Sequence, residues 1–172
     1  MNAIGAEALV IDASAALSLI RAEPSRGLVA RAIGRAGGRL LLVPEVFWVE
    51  IVNALVRRHG MAMDAVLGAI AELEGLGLRT IQLGRGGLLD SVALMIEHGL
   101  TAYDASYLAL AHAVNADLVT LDRQLAEAAG DRAVPLDPGE VREPRGPYRL
   151  EPWITWESAP AYLAAVRDSM VR

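Results

Sequence analysis

Short apolar runs at residues 8–12 (ALVID), 40–43 (LLLV) and 117–121 (DLVTL), with a further strand candidate at 79–83 (RTIQL), punctuate this chain, and each precedes a stretch with helical spacing. No other feature constrains the fold as tightly. Such brief apolar runs suit strands buried on both faces, and strands separated by helices pair in parallel. The expected class is α/β, a parallel sheet flanked by helices. Helices are expected over 14–21, from Pro24 to the Gly37-Gly38 pair, from Pro44 to about His59, and over 64–76, 87–98, 103–111 and 123–129. Residues 133–136 (AVPL) read as a final strand. The GRGG at 84–87 lacks the Lys-Ser/Thr of a phosphate-binding loop and reads as a flexible turn.

The chain has 172 residues, 53% of them hydrophobic, enough for one domain with a sizeable core. Composition shifts after Asp137, where Pro and charged residues accumulate around Trp153 and Trp156 without periodicity. The expected division is a domain over 1–137 and a tail over 138–172 that ends in an amphipathic helix. Trp153, Trp156, Tyr162, Leu163 and Val166 are expected to dock on the domain or on a second subunit. No apolar run reaches the ~18 positions of a membrane span, and no basic segment leads into a small-residue cleavage site. A soluble, cytoplasmic protein is therefore expected. Cys is absent, which excludes disulfides and thiolate chemistry. The net charge of −5 is not that of a protein that coats nucleic acid. All sixteen basic residues are Arg, which fits codon bias better than selection for phosphate binding.

The chemistry must then come from oxygen ligands. Asp12 and Asp122 each end an apolar run and precede a helix, and Asp104 sits at the third helical position behind Thr101. Each has an ordinary explanation as a helix cap. Glu50 does not. It lies mid-helix in EVFWVEIVNALV, among apolar neighbours, and shares a narrow polar stripe with Asn53 and Arg57. An ionised carboxylate there needs a partner, either Asn53 or Arg57 on its own helix or a cation. In open α/β sheets ligands gather beyond the carboxyl ends of the strands. If the first and fourth strands are neighbours, Asp12 and Asp122 meet there, flanked by Glu50 and Asp104. Four crowded acids stay ionised only with a cation among them. A site of oxygens alone suits Mg²⁺ or Mn²⁺ rather than Zn²⁺.

The segments VIDASAALSLI (10–20), PEVFWVEIVNAL (44–55) and LTAYDASYLALAHAVNADLVTLDRQL (100–125) together resemble the PIN domain, and most of all the VapC-type toxins of toxin–antitoxin pairs. The resemblance runs over about 9–136. It implies a parallel sheet flanked by helices and a metal-dependent endoribonuclease that leaves a 5′-phosphate and a 3′-hydroxyl. By the same resemblance Asp12, Glu50, Asp104 and Asp122 are the catalytic and metal-binding acids, with Asp12 and Asp104 as principal ligands of Mg²⁺ or Mn²⁺. Thr120 and Ser14 match its supporting hydroxyl positions, and Asn53 is retained as a supporting residue from the stripe it shares with Glu50. RNA is the implied substrate and a small antitoxin the implied partner, in a homodimer or a toxin–antitoxin hetero-oligomer.

Other readings are less well supported. An aspartyl phosphotransferase or dehalogenase-like enzyme wants a second Asp two positions after the first and a Lys elsewhere; position 14 is Ser and Lys is absent. A PIN protein of RNA maturation fits the same residues, and gene context would discriminate it. A non-catalytic interaction module fits poorly with four acids in place. The three His residues lie on separate helices and take no role here.

Overall fold

The computed structural model describes residues 8–21 and 23–136. Four strands, β1 (Ala8–Ile11), β2 (Leu40–Pro44), β3 (Arg79–Ile81) and β4 (Asp117–Val119), form one parallel sheet in the order β3-β2-β1-β4. Leu9 of β1 pairs with Leu41 on one side and Asp117 on the other. All four residues of β1 are buried, which explains why its sequence is continuously apolar and does not alternate.

Among the described residues seven α-helices surround the sheet: α1 (Ala13–Ile20), α2 (Arg26–Arg35), α3 (Val46–Asn53), α4 (Met63–Gly75), α5 (Gly84–His98), α6 (Ala102–Ala113) and α7 (Arg123–Ala129). Helix α6 is buried from Ala105 through Ala111, so its Ala- and Leu-rich sequence lies inside the fold. Phe47, Ile51 and Leu55 anchor one face of the α3 region, and Leu9, Ile11, Leu42, Leu108 and Leu118 fill the layers about the sheet. Full burial of such side chains stabilises the fold by ~1.5–3 kcal/mol each.

Several expected bounds shift for local reasons. Pro44 completes β2 instead of opening a helix, and the long helix expected to reach His59 divides after Asn53 into a π-helical turn, Ala54–Arg58. There the His59 N–H donates to the Ala54 carbonyl, five residues back. The GRGG is no flexible turn: it forms the first turn of α5. Gly84, at φ +57°, swings the chain out of the sheet, and Gly87 is buried with its carbonyl accepting the Ser91 hydroxyl. The last strand shrinks to a bridge between Leu118 and Ala133, followed by the Val134 N–H bonding the Leu118 carbonyl at 2.8 Å. Gly99 caps α5 at φ +67° as expected of a helix-stopping glycine. No helix among the described residues is long and apolar enough to cross a membrane. The expected tail, 138–172, lies outside the described residues.

Candidate active site

The strand order creates the site. The chain steps outward from β1 to β2 to β3, then returns to place β4 on the other flank of β1. The direction of winding thus reverses between β1 and β4, the place in an open α/β sheet where ligands gather. Asp12 emerges from β1 and Thr120 and Asp122 from β4. The Asp12 N–H extends the ladder by one bond to the Val119 carbonyl, at 3.0 Å.

Asp12 is 4% exposed and heavily invested. Its Oδ2 accepts from the Ser14 hydroxyl, from the Ser14 N–H at 3.3 Å and from the Thr120 hydroxyl at 2.7 Å. Thr120 Oγ1 accepts in turn from the Asp122 N–H at 2.9 Å, and Ser14 Oγ accepts from the Leu121 N–H at 3.0 Å. Two hydroxyls therefore lace the β4–α7 loop to the start of α1, and every bond to the carboxyl converges on one oxygen. Oδ1 accepts none among the described residues. Burial pushes the Asp12 carboxyl above its ordinary pKa, the hydroxyls pull it down, and the charge of Asp104 adds to the rise.

Glu50 pairs with neither Asn53 nor Arg57. Its Oε2 accepts the hydroxyl of Tyr107, which stands on α6, and burial lifts its pKa to about 7 against the pull of that bond. Asp12 and Asp104 raise it further by charge. Asp104 Oδ2 accepts the Thr101 hydroxyl at 2.6 Å, while the Asp104 N–H donates back to Thr101 Oγ1 at 3.1 Å. Asp12, Glu50 and Asp104 thus come from three different helix starts and helix faces into one electrostatic neighbourhood.

Asp122 is placed differently. It is exposed, and its Oδ1 caps α7 by accepting the Leu125 N–H at 2.8 Å. Among the described residues its backbone N–H is linked to Asp12 through the Thr120 hydroxyl. Asn53 and Arg57 are exposed one and two turns beyond Glu50. Arg123, next to Asp122, pairs with Glu127 at 3.5 Å. Asp117 binds Arg39 at 3.1 Å at the opposite end of the sheet. A cleft of about 660 Å³ lies beside the end of β4, lined by Thr120, Leu121, Asp122, Arg123 and Val134 among others; Asp12, Glu50 and Asp104 do not line it.

Tyr107 is the residue that sequence reasoning missed. It is fully buried, and a buried phenol requires a hydrogen-bond partner. Its signal was present: it stands three positions after Asp104, on the same face of a helix otherwise packed with Ala and Leu.

No three His, Cys, Asp or Glu side chains among the described residues converge tightly enough to form a ready-made cation cage. The donor set nevertheless fits a hard divalent cation. It consists of oxygens alone, and Asp12 presents a buried Oδ1 that nothing among the described residues satisfies.

Residues 9–131 match the family model of the PIN domain. Ribonuclease VapC3 of Pyrobaculum aerophilum is 36% identical over 123 residues, covering 69% of this chain and 92% of that protein. Ribonuclease VapC12 of Mycobacterium tuberculosis is 30% identical over 131 residues, covering 73% and 95%. Among solved structures, a toxin–antitoxin complex from Klebsiella pneumoniae superposes with a TM-score of 0.58 at 19% identity, over 75% of this chain and 98% of that one, a likeness of fold. With the reversal of winding at β1 and β4, the acids gathered beside it and the match over 9–131, the chain belongs to the PIN-domain family.

Proposed function

We propose that this protein is an endoribonuclease dependent on Mg²⁺ or Mn²⁺, acting as the toxin of a toxin–antitoxin pair. The observation that carries the reading is Asp12, buried, with one carboxylate oxygen fully bonded and the other open, inside the field of Glu50 and Asp104. The relatives named as VapC ribonucleases support RNA as substrate, and the small antitoxin is carried by the resemblance of the sequence motifs to VapC-type toxins.

Asp12 and Asp104 would be the principal ligands, with Glu50 and Asp122 acting through water. When bound, the cation supplies an activated water and offsets charge that develops on the phosphodiester. The chain's own residues prepare for it. Ser14 and Thr120 fix Asp12 through Oδ2, which leaves Oδ1 aimed by a rigid carboxylate. Thr101 does the same for Asp104. Glu50 Oε1 and Asp122 Oδ2 accept no hydrogen bond among the described residues and are available to orient the attacking water.

Purified protein should cleave single-stranded RNA in Mg²⁺ or Mn²⁺, leave 5′-phosphate ends and stop when EDTA is added. Asp12→Asn, which keeps the size and the capping ability of the side chain, should reduce cleavage to background without unfolding the protein. Cleavage at the wild-type rate by the folded variant removes Asp12 from the site. Expression alone should arrest growth, and co-expression of the small gene beside it should restore growth.

A further inference from the structure

Glu50 is the acid held only from another element. Asp12 is laced by three hydrogen bonds; the carboxyls of Asp104, Asp122 and Glu50 each accept one among the described residues, but those of Asp104 and Asp122 come from their own helix ends, while that of Glu50 comes from Tyr107. It also stands at the end of a longer side chain with one more rotatable bond, so without that anchor it samples several positions. The anchor comes from 57 residues away, on α6. Tyr107 itself has little freedom: the ring is fully buried, and the Ala13 N–H lies within hydrogen-bonding reach of the same phenolic oxygen. Ala13 is the residue directly after Asp12 and the first of α1, where backbone N–H groups have no partner within the helix. One phenolic oxygen thus lies beside the α1 start and gives a bond to Glu50 on α3.

From this arrangement we propose that Tyr107 is a positioning residue, whose hydroxyl ties the Glu50 carboxylate to the segment carrying Asp12 and so sets the pair of acids for one divalent cation. The inference rests on the nuclease reading given above. Tyr107 touches neither the cation nor RNA; it acts through Glu50. The phenol suits the task because its bulk is apolar and packs within the core, while its single O–H reaches the site. Phe at this position preserves the packing and deletes the tie.

The test is Mn²⁺ binding to the full chain, followed by electron paramagnetic resonance. Tyr107→Phe should weaken Mn²⁺ binding by about 10–100-fold, as losses of residues that orient metal ligands do, with an unchanged melting temperature in EDTA. In a Glu50→Gln background the same substitution should alter the affinity by less than about twofold, because the group it positions is already compromised. Equal effects in both backgrounds, or wild-type Mn²⁺ affinity in folded Tyr107→Phe, overturn the positioning role and leave the nuclease reading standing. A wild-type chain that binds no Mn²⁺ overturns both. A second measurement does not require the variant to fold. In protein labelled with 3-fluorotyrosine, Mg²⁺ should shift the fluorine resonance of Tyr107, assigned by eliminating the signals of Tyr103, Tyr148 and Tyr162 through Phe variants. A resonance unmoved by saturating Mg²⁺ counts against the tie.

Discussion

At the scale of single residues, the site is a problem of charge out of water. Glu50 is lifted from its ordinary 4.5 to about 7, first by burial and then by Asp12 and Asp104. An acid whose pKa is raised on folding stabilises the protein fully below its unfolded pKa, and that contribution is lost as pH rises through the folded value. Metal-free protein should therefore lose stability between about pH 4.5 and pH 7. Glu50→Gln, which still accepts from Tyr107, should flatten that loss and melt above the wild type at pH 8 in EDTA. Some slope will persist, because the Asp12 carboxyl is raised as well. The variant should also gain less from Mn²⁺ in thermal melts. A lower melting temperature at pH 8 with an undiminished Mn²⁺ response would mean that the Glu50 charge is compensated inside the fold.

At the scale of elements, three of the four candidate acids sit in helix caps. Asp12 caps α1 through Ser14, Asp122 caps α7 through Leu125, and Asp104 shares a capping hydroxyl with Thr101 at the start of α6. The coincidence has a physical basis. For Asp12 and Asp122, each strand's carboxyl end feeds the amino end of the next helix, so a short acid there meets both the orphan N–H groups and the end of the sheet where ligands gather; Asp104 stands instead at the start of a helix that follows α5. Cap and catalyst separate by substitution at Asp122. Asp122→Asn keeps a capping oxygen and should melt like the wild type while cleaving RNA more slowly. Asp122→Ala should also cost about 1 kcal/mol of stability. Calorimetry beside a cleavage assay reads both. If Asp122→Asn cleaves at the wild-type rate, the residue is a cap and nothing more.

At the scale of the whole molecule, buried apolar side chains among the described residues run from Ala8 to Ala129 in one cluster, and the candidate acids lie on or directly beside elements of that cluster. Residues 138–172 are therefore expected to tune stability or assembly and not chemistry. A chain truncated after Asp137 should retain Mg²⁺-dependent cleavage, while sedimentation and thermal melts should register a changed assembly or an earlier transition. Loss of cleavage alone, at equal stability and in the same assembly, would place the tail in the substrate site.

Much of this was legible in the sequence. The apolar runs of β1 and β2 announce buried parallel strands, because burial on both faces demands it locally, while β3, exposed at Arg79 and Thr80, carries a polar sequence to match. The capping acids and the ill-fitting Glu50 stand out because each departs from the pattern around it. Element bounds were less secure. Pro44 and the GRGG carry local signals that are also compatible with the neighbouring state, and packing decided between them: Pro44 closes a buried strand, and Gly84 lets α5 begin early. What no local pattern contains is which distant elements meet. That β4 lies beside β1, so that Asp12 and Thr120 share a hydrogen bond across 108 residues, follows from the strand order alone. The same holds for Glu50, whose polar stripe pointed to Asn53 and Arg57 on its own helix, while the fold delivered Tyr107 from another. Hydrophobic periodicity is written into each element by its own contact with the core, but a buried polar group is satisfied by whatever the assembled layers bring within about 3 Å, and only the tertiary structure determines that.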